Sequence, residues 1–395
     1  MIGISKLYCG GVEPSDALRY GRESSRLPGR LPQFSADKKP VVVWNCTARC
    51  NLRCIHCYSQ SSDQDIAGEL TTAQGLALLE DLAAFGVPVV LFSGGEPLLR
   101  GDLLELAARA AQLGLRAVVS TNGTRLDEPL AARLAGARVG YVGVSLDGIG
   151  AANDRFRGVD GAYEQAIAGL RAARTAGLKV GLRFTITSRN AAQLDAIFDL
   201  LEQEHIPRVC FYHLVYAGRG KNLRSEDLDH AATRAVMDRI IDRTADLHRR
   251  GLPKEVLTVD NHADGPYLYL RMLREHHPRA GPAMELLRAS GGNSSGVGIG
   301  CVSWDGSVHA DPFWRHVSLG NVTRRPFSRI WADPSQPLLA ALRDRRRHLR
   351  GRCARCQFLD MCGGNFRVRA EAATGDVWGD DPACYLSDEE IGLSP

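Results

Sequence analysis

Lysine is scarce in this chain, with 6 residues against 43 arginines among 395. Arginine grips carboxylates through a planar fork that lysine cannot form, so the bias suits an acidic ligand, although GC-rich coding alone would produce it. Long hydrophobic runs are also missing. No uninterrupted apolar stretch approaches the ~18 residues of a membrane span. The opening residues 1–6 lack the long apolar core of a secretory signal, so a cytoplasmic protein is expected. Charge of one sign is weak: the net charge is +4, and the densest basic piece, residues 343–347, reads as a solvated helix face. Nucleic acid is therefore not an expected partner. Internal repeats and low-complexity tracts are absent as well.

Cysteine, by contrast, is present and clustered. Cys50, Cys54 and Cys57 form a C-x3-C-x2-C run directly after the β-branched stretch at 41–43. Cys353, Cys356 and Cys362 form C-x2-C-x5-C, and Cys384 follows. In a chain without a secretion signal, such clustering favours metal ligation over disulfides. Three thiolates can hold three irons of a cubane cluster and leave the fourth iron open to a small chelating cosubstrate. Four thiolates close a cluster with no open iron, and zinc would accept the same four in a tetrahedral site. Cys46, four residues ahead of the first run, reads as a small buried residue at a strand end, and Cys9 and Cys210 read as structural.

Between residues 40 and 216, short apolar segments alternate with amphipathic ones. The pattern predicts strands over 41–44, 88–93, 116–120, 139–145, 179–187 and 208–215. It predicts helices over 71–86, 102–113, 127–136, 161–176 and 191–204. This rhythm implies an α/β fold whose parallel sheet is built from βαβ crossovers, with too few units for an eight-strand barrel. Residues 1–39 predict an irregular leader, 217–296 a helical connecting region, and 297–395 a small second domain.

Ser93-Gly94-Gly95-Glu96-Pro97 follows the second predicted strand, at the end where open α/β sheets bind ligands. Together with the cysteine triplet about 40 residues earlier, this run resembles the radical S-adenosylmethionine (SAM) superfamily. That resemblance implies a partial (β/α)6 barrel, a [4Fe-4S] cluster on Cys50, Cys54 and Cys57, and SAM as cosubstrate. It also implies cofactor contacts at Gly94, Gly95 and Glu96, and at the strand-end residues Asn122, Ser145, Asp147 and Arg183. His56 is expected to pack beside the cluster.

The C-terminal cysteines resemble the SPASM/Twitch extensions of that superfamily. A full SPASM domain carries seven cysteines for two auxiliary clusters, and this chain departs from it: Phe366 stands where a cysteine is expected, and none lies near Asp311-Pro312-Phe313. One auxiliary [4Fe-4S] cluster on Cys353, Cys356, Cys362 and Cys384 is therefore expected. Cys301 is either a spare or a replacement ligand should Cys384 lie too far away.

Blocks at 258–265, 298–309, 320–322, 362–370 and 381–386 resemble the tetrapyrrole-modifying subgroup, most of all its NirJ-like heme d1 branch. This implies an iron tetrapyrrole substrate, 12,18-didecarboxysiroheme, from which two propionates are removed and replaced by oxo groups. It also implies a cytosolic electron donor such as ferredoxin or flavodoxin. Alternatives are an AhbC- or AhbD-like enzyme of heme synthesis, a SPASM peptide maturase, or a non-catalytic iron–sulfur or zinc scaffold. His213, His262 and His309 are candidates for contact with substrate carboxylates or iron, and Tyr212, Tyr216 and Tyr267 for the substrate face.

Overall fold

The computed structural model describes residues 1–11, 16 and 39–393. A single sheet of 11 strands organises them. In chain order the strands are β1 (Ile2–Gly3), β2 (Val41–Thr47), β3 (Val89–Gly94), β4 (Arg116–Thr121), β5 (Tyr141–Ser145), β6 (Val180–Ile186) and β7 (Arg208–His213). They continue as β8 (Glu255–Val259), β9 (Ile299–Val302), β10 (Ser307–His309) and β11 (Gly320–Asn321). Across the sheet the order is β1-β8-β7-β6-β5-β4-β3-β2-β9-β10-β11, with β2 through β8 all parallel. Because β2 and β8 do not pair with each other, the parallel set forms an open, partial barrel. The expected α/β class and its six parallel strands are both present.

Local chemistry explains the helices between the strands. Helix Thr72–Phe85 opens with a capping box between Thr71 and Gln74 and closes at Gly86, whose φ of 86° suits glycine. Asp127 caps helix Glu128–Gly136 by accepting from the Leu130 amide. Strand alternation then sorts the sheet's two faces. Trp44, Phe92, Phe184 and Phe211 point outward into the helix layer, where Phe211 meets Phe198 at 5.4 Å between ring centroids. Gly75 makes room for Trp44, since a Cβ there would stand 2.7 Å from the indole. The alternate residues, among them Asn45, Ser93, Ser145, Arg183 and Tyr212, face the barrel interior.

Three expectations need correction. Residues 2–9 are not irregular: β1 pairs antiparallel with β8, and the turn Ser5–Cys9 buries Leu7. The apolar Ile2, Ile4 and Leu7 are driven under the barrel edge, but so short a run gives no periodic signal. The rest of the expected leader, apart from residues 1, 10, 11, 16 and 39, lies outside the described residues. Next, the region 217–296 is not wholly helical, because β8 extends the parallel set by a seventh strand. Finally, residues after 297 do not start a separate sheet. β9 pairs parallel with β2, so the C-terminal part grows from the barrel's other edge.

Candidate active site

The Cys50–Cys57 loop leaves the C-terminal end of β2 and is pinned from two sides. The Arg53 and Ile55 amides donate to the carbonyls of Arg157 and Phe156, and the Cys50 amide donates to Ser62. On the other side, the Gly95 and Glu96 amides donate to the carbonyls of Thr47 and Arg49, each at 2.8 Å. This contact is why two glycines are needed. A Cβ on Gly94 would stand 2.3 Å from the Thr47 oxygen, and one on Gly95 2.1 Å from the Arg49 oxygen. The Gly-Gly run and the cysteine loop are thus one docked structure.

Cys50, Cys54 and Cys57 come together with Leu52 and Ala162, the first two buried. Burial pushes the Cys50 thiol up to about 12 and raises that of Cys54. Donors nevertheless face every sulfur. Asn122 Nδ2 lies 4.0 Å from Cys50 Sγ, an Arg157 guanidinium nitrogen 3.6 Å from Cys54 Sγ, and Ser59 Oγ 3.2 Å from Cys57 Sγ. A group that is costly to ionise alone but surrounded by donors suits a thiolate whose charge is shared with metal. Among the described residues no three such ligands close around a single ion. A cubane, with its irons at separate corners, needs the thiolates further apart than one ion does. The residues fit the cluster.

The strand-end candidates divide into two groups. Asn122 sits beside Cys50 and also donates to Asn51 Oδ1 at 3.0 Å. Ser145 is partly exposed on the interior face, level with Arg183 on the next strand. Glu96 and Asp147, by contrast, have no exposed surface. Glu96 accepts from the Leu98 amide, Thr121 Oγ1 and the Asn122 amide at 2.7–3.0 Å, and burial raises its carboxyl to about 7. Asp147 accepts from the Thr185 amide at 2.8 Å and pairs with Arg157 at 2.5 Å. Both carboxylates brace the strand ends around the cysteine loop. His56 packs against Phe156 at 4.8 Å and lies 3.5 Å from Asp147, with burial lowering its pKa to about 4. Cys46 is buried on β2, its thiol directed at the Ser93 carbonyl. Sequence reasoning missed Arg157, which no spacing rule marks.

Cys353, Cys356, Cys362 and Cys384 line one cavity, together with Phe358 and Leu386. Burial and the three neighbouring sulfurs push the Cys362 thiol far up. Fully buried Arg367 brings a guanidinium nitrogen to 4.0 Å from Cys353 Sγ. Cys384 thus lies at the same cavity as the other three. Cys301 lies elsewhere, on β9, where Asn45 Nδ2 stands 3.5 Å from its sulfur. At the missing cysteine position, Phe366 packs edge-on to Phe313 at 5.5 Å, and Phe313 packs on Tyr58 at 5.1 Å.

The histidine and tyrosine candidates mostly turn away from the interior. His309 is held through both nitrogens, by Ser303 Oγ and the Val317 carbonyl. His213 is bonded to Asp264, which also accepts from Tyr385. His262 is buried, with Nδ1 lacking a partner. Tyr216 and Tyr267 donate to Asp227 and Asp238. Of the tyrosines, Tyr212 alone stays on the interior face, under Arg183.

Comparison with known proteins accords with this geometry. The Radical SAM superfamily model matches residues 44–201, and the SPASM iron-sulfur cluster-binding domain matches 298–357. The chain is 61% identical to the Fe-coproporphyrin III synthase of Methanosarcina barkeri, over 99% of each chain. It is 50% identical to the Pre-heme d1 synthase of Dinoroseobacter shibae, over 90% of this chain and 88% of that one. Among solved structures, Streptococcus suis SuiB bound to S-adenosylmethionine superposes with a TM-score of 0.70 at 17% identity, over 88% of this chain and 78% of that one. The AdoMet-bound enzyme anSMEcpe gives 0.67 at 17%, over 89% and 95%. The chain belongs to the radical SAM superfamily and carries a SPASM domain. Its cofactors are accordingly SAM and iron–sulfur clusters. Among the described residues no helix is long and apolar enough to cross a membrane.

Proposed function

We propose that this enzyme remodels the side chains of an iron tetrapyrrole in heme synthesis, and that its reaction is of the Fe-coproporphyrin III synthase kind. The observation that carries this reading is the 61% identity to such a synthase over 99% of both chains. Residue blocks in the sequence pointed first to the heme d1 branch. The 50% identity to a Pre-heme d1 synthase keeps that as the second reading.

Cys50, Cys54 and Cys57 hold the first cluster, and Cys353, Cys356, Cys362 and Cys384 the auxiliary one. When bound, the first cluster and SAM supply a 5′-deoxyadenosyl radical that abstracts hydrogen from a substrate side chain. The protein positions the reactants and excludes water. Arg157 balances the charge beside Cys54, and the Gly94-Gly95 backbone holds the loop against β3. Glu96 fixes the ends of β3 and β4, which sets Asn122 beside Cys50. Gly94, Gly95, Glu96, Asn122, Ser145 and Asp147 stand at the strand ends beside this loop as the groups that would receive SAM. Reducing equivalents come from a small carrier such as ferredoxin or flavodoxin.

The test is anaerobic incubation of the reconstituted enzyme with 12,18-didecarboxysiroheme, SAM and a reductant, read by mass spectrometry. Iron-coproporphyrin III as product is expected. A dioxo product would replace this with the heme d1 reading, and an unchanged tetrapyrrole would overturn both.

A further inference from the structure

Many of the described arginines have an acidic partner, including Arg157, Arg234, Arg271 and Arg369. Two that face the barrel interior do not. Arg183, on the inner face of β6, lies over the Tyr212 ring at 4.7 Å. Its surroundings are the hydroxyls of Tyr212, Tyr141 and Tyr58 and the Cys210 thiol. Asp260 is within electrostatic range but forms no ion pair with it. The side chain runs back into the barrel: a Cβ on Gly143 would stand 3.0 Å from Arg183 Cδ, so the glycine clears its path.

Arg315 reaches the same region from the opposite edge, on the segment after β10. Its guanidinium stacks over Trp304 at 4.1 Å and donates one bond, to the Ser59 carbonyl at 2.6 Å. Its Nε is buried with no hydrogen-bond partner. Asp305 and Cys57 are within electrostatic range of it, but neither forms an ion pair or hydrogen bond with it. Tyr58 lies within electrostatic range of both arginines and is held by Asn45 at 2.9 Å. Holding a desolvated cation without a counter-ion is costly, and two at one place are costlier. An arrangement of this kind persists where a ligand brings the missing negative charge.

We infer that Arg183 and Arg315 are a carboxylate-binding pair that grips the acidic side chains of the substrate inside the barrel. This rests on the iron tetrapyrrole reading. Such a ring carries acetate or propionate groups around its rim, and the planar guanidinium matches a carboxylate in two-point contact. Tyr58 and Phe313, whose ring centroids lie 5.1 Å apart at a 60° tilt, offer aromatic contact to the macrocycle. Arg183 is thereby assigned to the substrate, and the strand-tip groups are left for SAM, whose own carboxylate is the competing source of the same chemistry.

The test uses the reconstituted holoenzyme and two probes, iron coproporphyrin III and its fully esterified form, with binding followed by absorbance. Wild type is expected to prefer the acid. Arg183→Gln and Arg315→Gln should each weaken acid binding roughly tenfold or more and leave ester binding in place. Arg183→Lys and Arg315→Lys keep the charge but lose the fork, so they should fall between, and they serve if a Gln variant loses its iron. Weakened SAM binding with acid binding intact would overturn the assignment in favour of the cosubstrate. Equal loss of acid and ester binding would also overturn it. If wild type binds both probes alike, the arginine pair is wrong while the tetrapyrrole reading survives. If it binds neither, the tetrapyrrole reading itself fails.

Discussion

Arg157 bridges Asp147 and Cys54: one guanidinium nitrogen pairs with Asp147 Oδ2 at 2.5 Å, and another stands 3.6 Å from the Cys54 sulfur. The carboxylate comes from the loop after β5, and the arginine ends helix Ala151–Arg157. A single cation therefore ties the end of β5, the central strand of the parallel set, to the cysteine loop. Removing it leaves Asp147 fully buried and unpaired. Arg157→Met should cost about 3–5 kcal/mol, as breaking a buried pair from one side does. Denaturant unfolding of the reconstituted enzyme measures this, and adding Asp147→Asn should restore part of the loss. A midpoint equal to wild type would show the bridge to be idle.

Cys54→Ala should remove roughly one cluster's share of iron and stop 5′-deoxyadenosine formation, because three thiolates are the minimum that holds the open-cornered cluster. Iron analysis and chromatography of the reaction mixture report both. SAM cleavage at the wild-type rate would refute the site.

Cys356→Ala should lower iron by the auxiliary share alone. The cysteine loop after β2 shares no ligand with the C-terminal cavity. SAM should still be cleaved under reduction, while tetrapyrrole product disappears. Iron content matching the parent enzyme would remove the basis for a second cluster on these cysteines.

Glu96 predicts a pH dependence. Burial raises its folded pKa to about 7 from an ordinary value of about 4.5, so the fold favours the protonated form. Its contribution to stability is then complete below about pH 4.5 and is lost as pH rises through about 7. Glu96→Gln should flatten this part of the profile. It should also lower stability by about 1–3 kcal/mol, because an amide NH2 would replace the oxygen that accepts from the Asn122 amide. Thermal unfolding of SAM-free protein between pH 5 and 8 tests both effects; a parallel pair of curves would contradict the assignment.

Much of the framework is written locally. Apolar stretches such as 89–94 and 180–186 alternate with amphipathic helices, and strand boundaries read from that rhythm lie within three residues of those observed. The cysteine spacing is equally local, since ligand number and separation along the chain already restrict the cofactor. β8 escaped because Glu255–Val259 is short and flanked by helical pattern, and only its pairing with β7 and β1 makes it a strand. Glu96 and Asp147 look like ligand contacts in a motif. Whether a strand-end carboxylate faces outward or braces its neighbours depends on donors from other strands, here Asn122 and Thr185.

The amino-acid order by itself therefore determined the class of fold and the inventory of thiolates, through periodicity and spacing over a few residues. Tertiary structure alone decided the charge balance: it set Arg157 against Cys54, Arg367 near Cys353, and Arg183 and Arg315 within range of Tyr58 without an ion pair. Electrostatic interaction acts through space between residues far apart in the chain, so no local pattern records it.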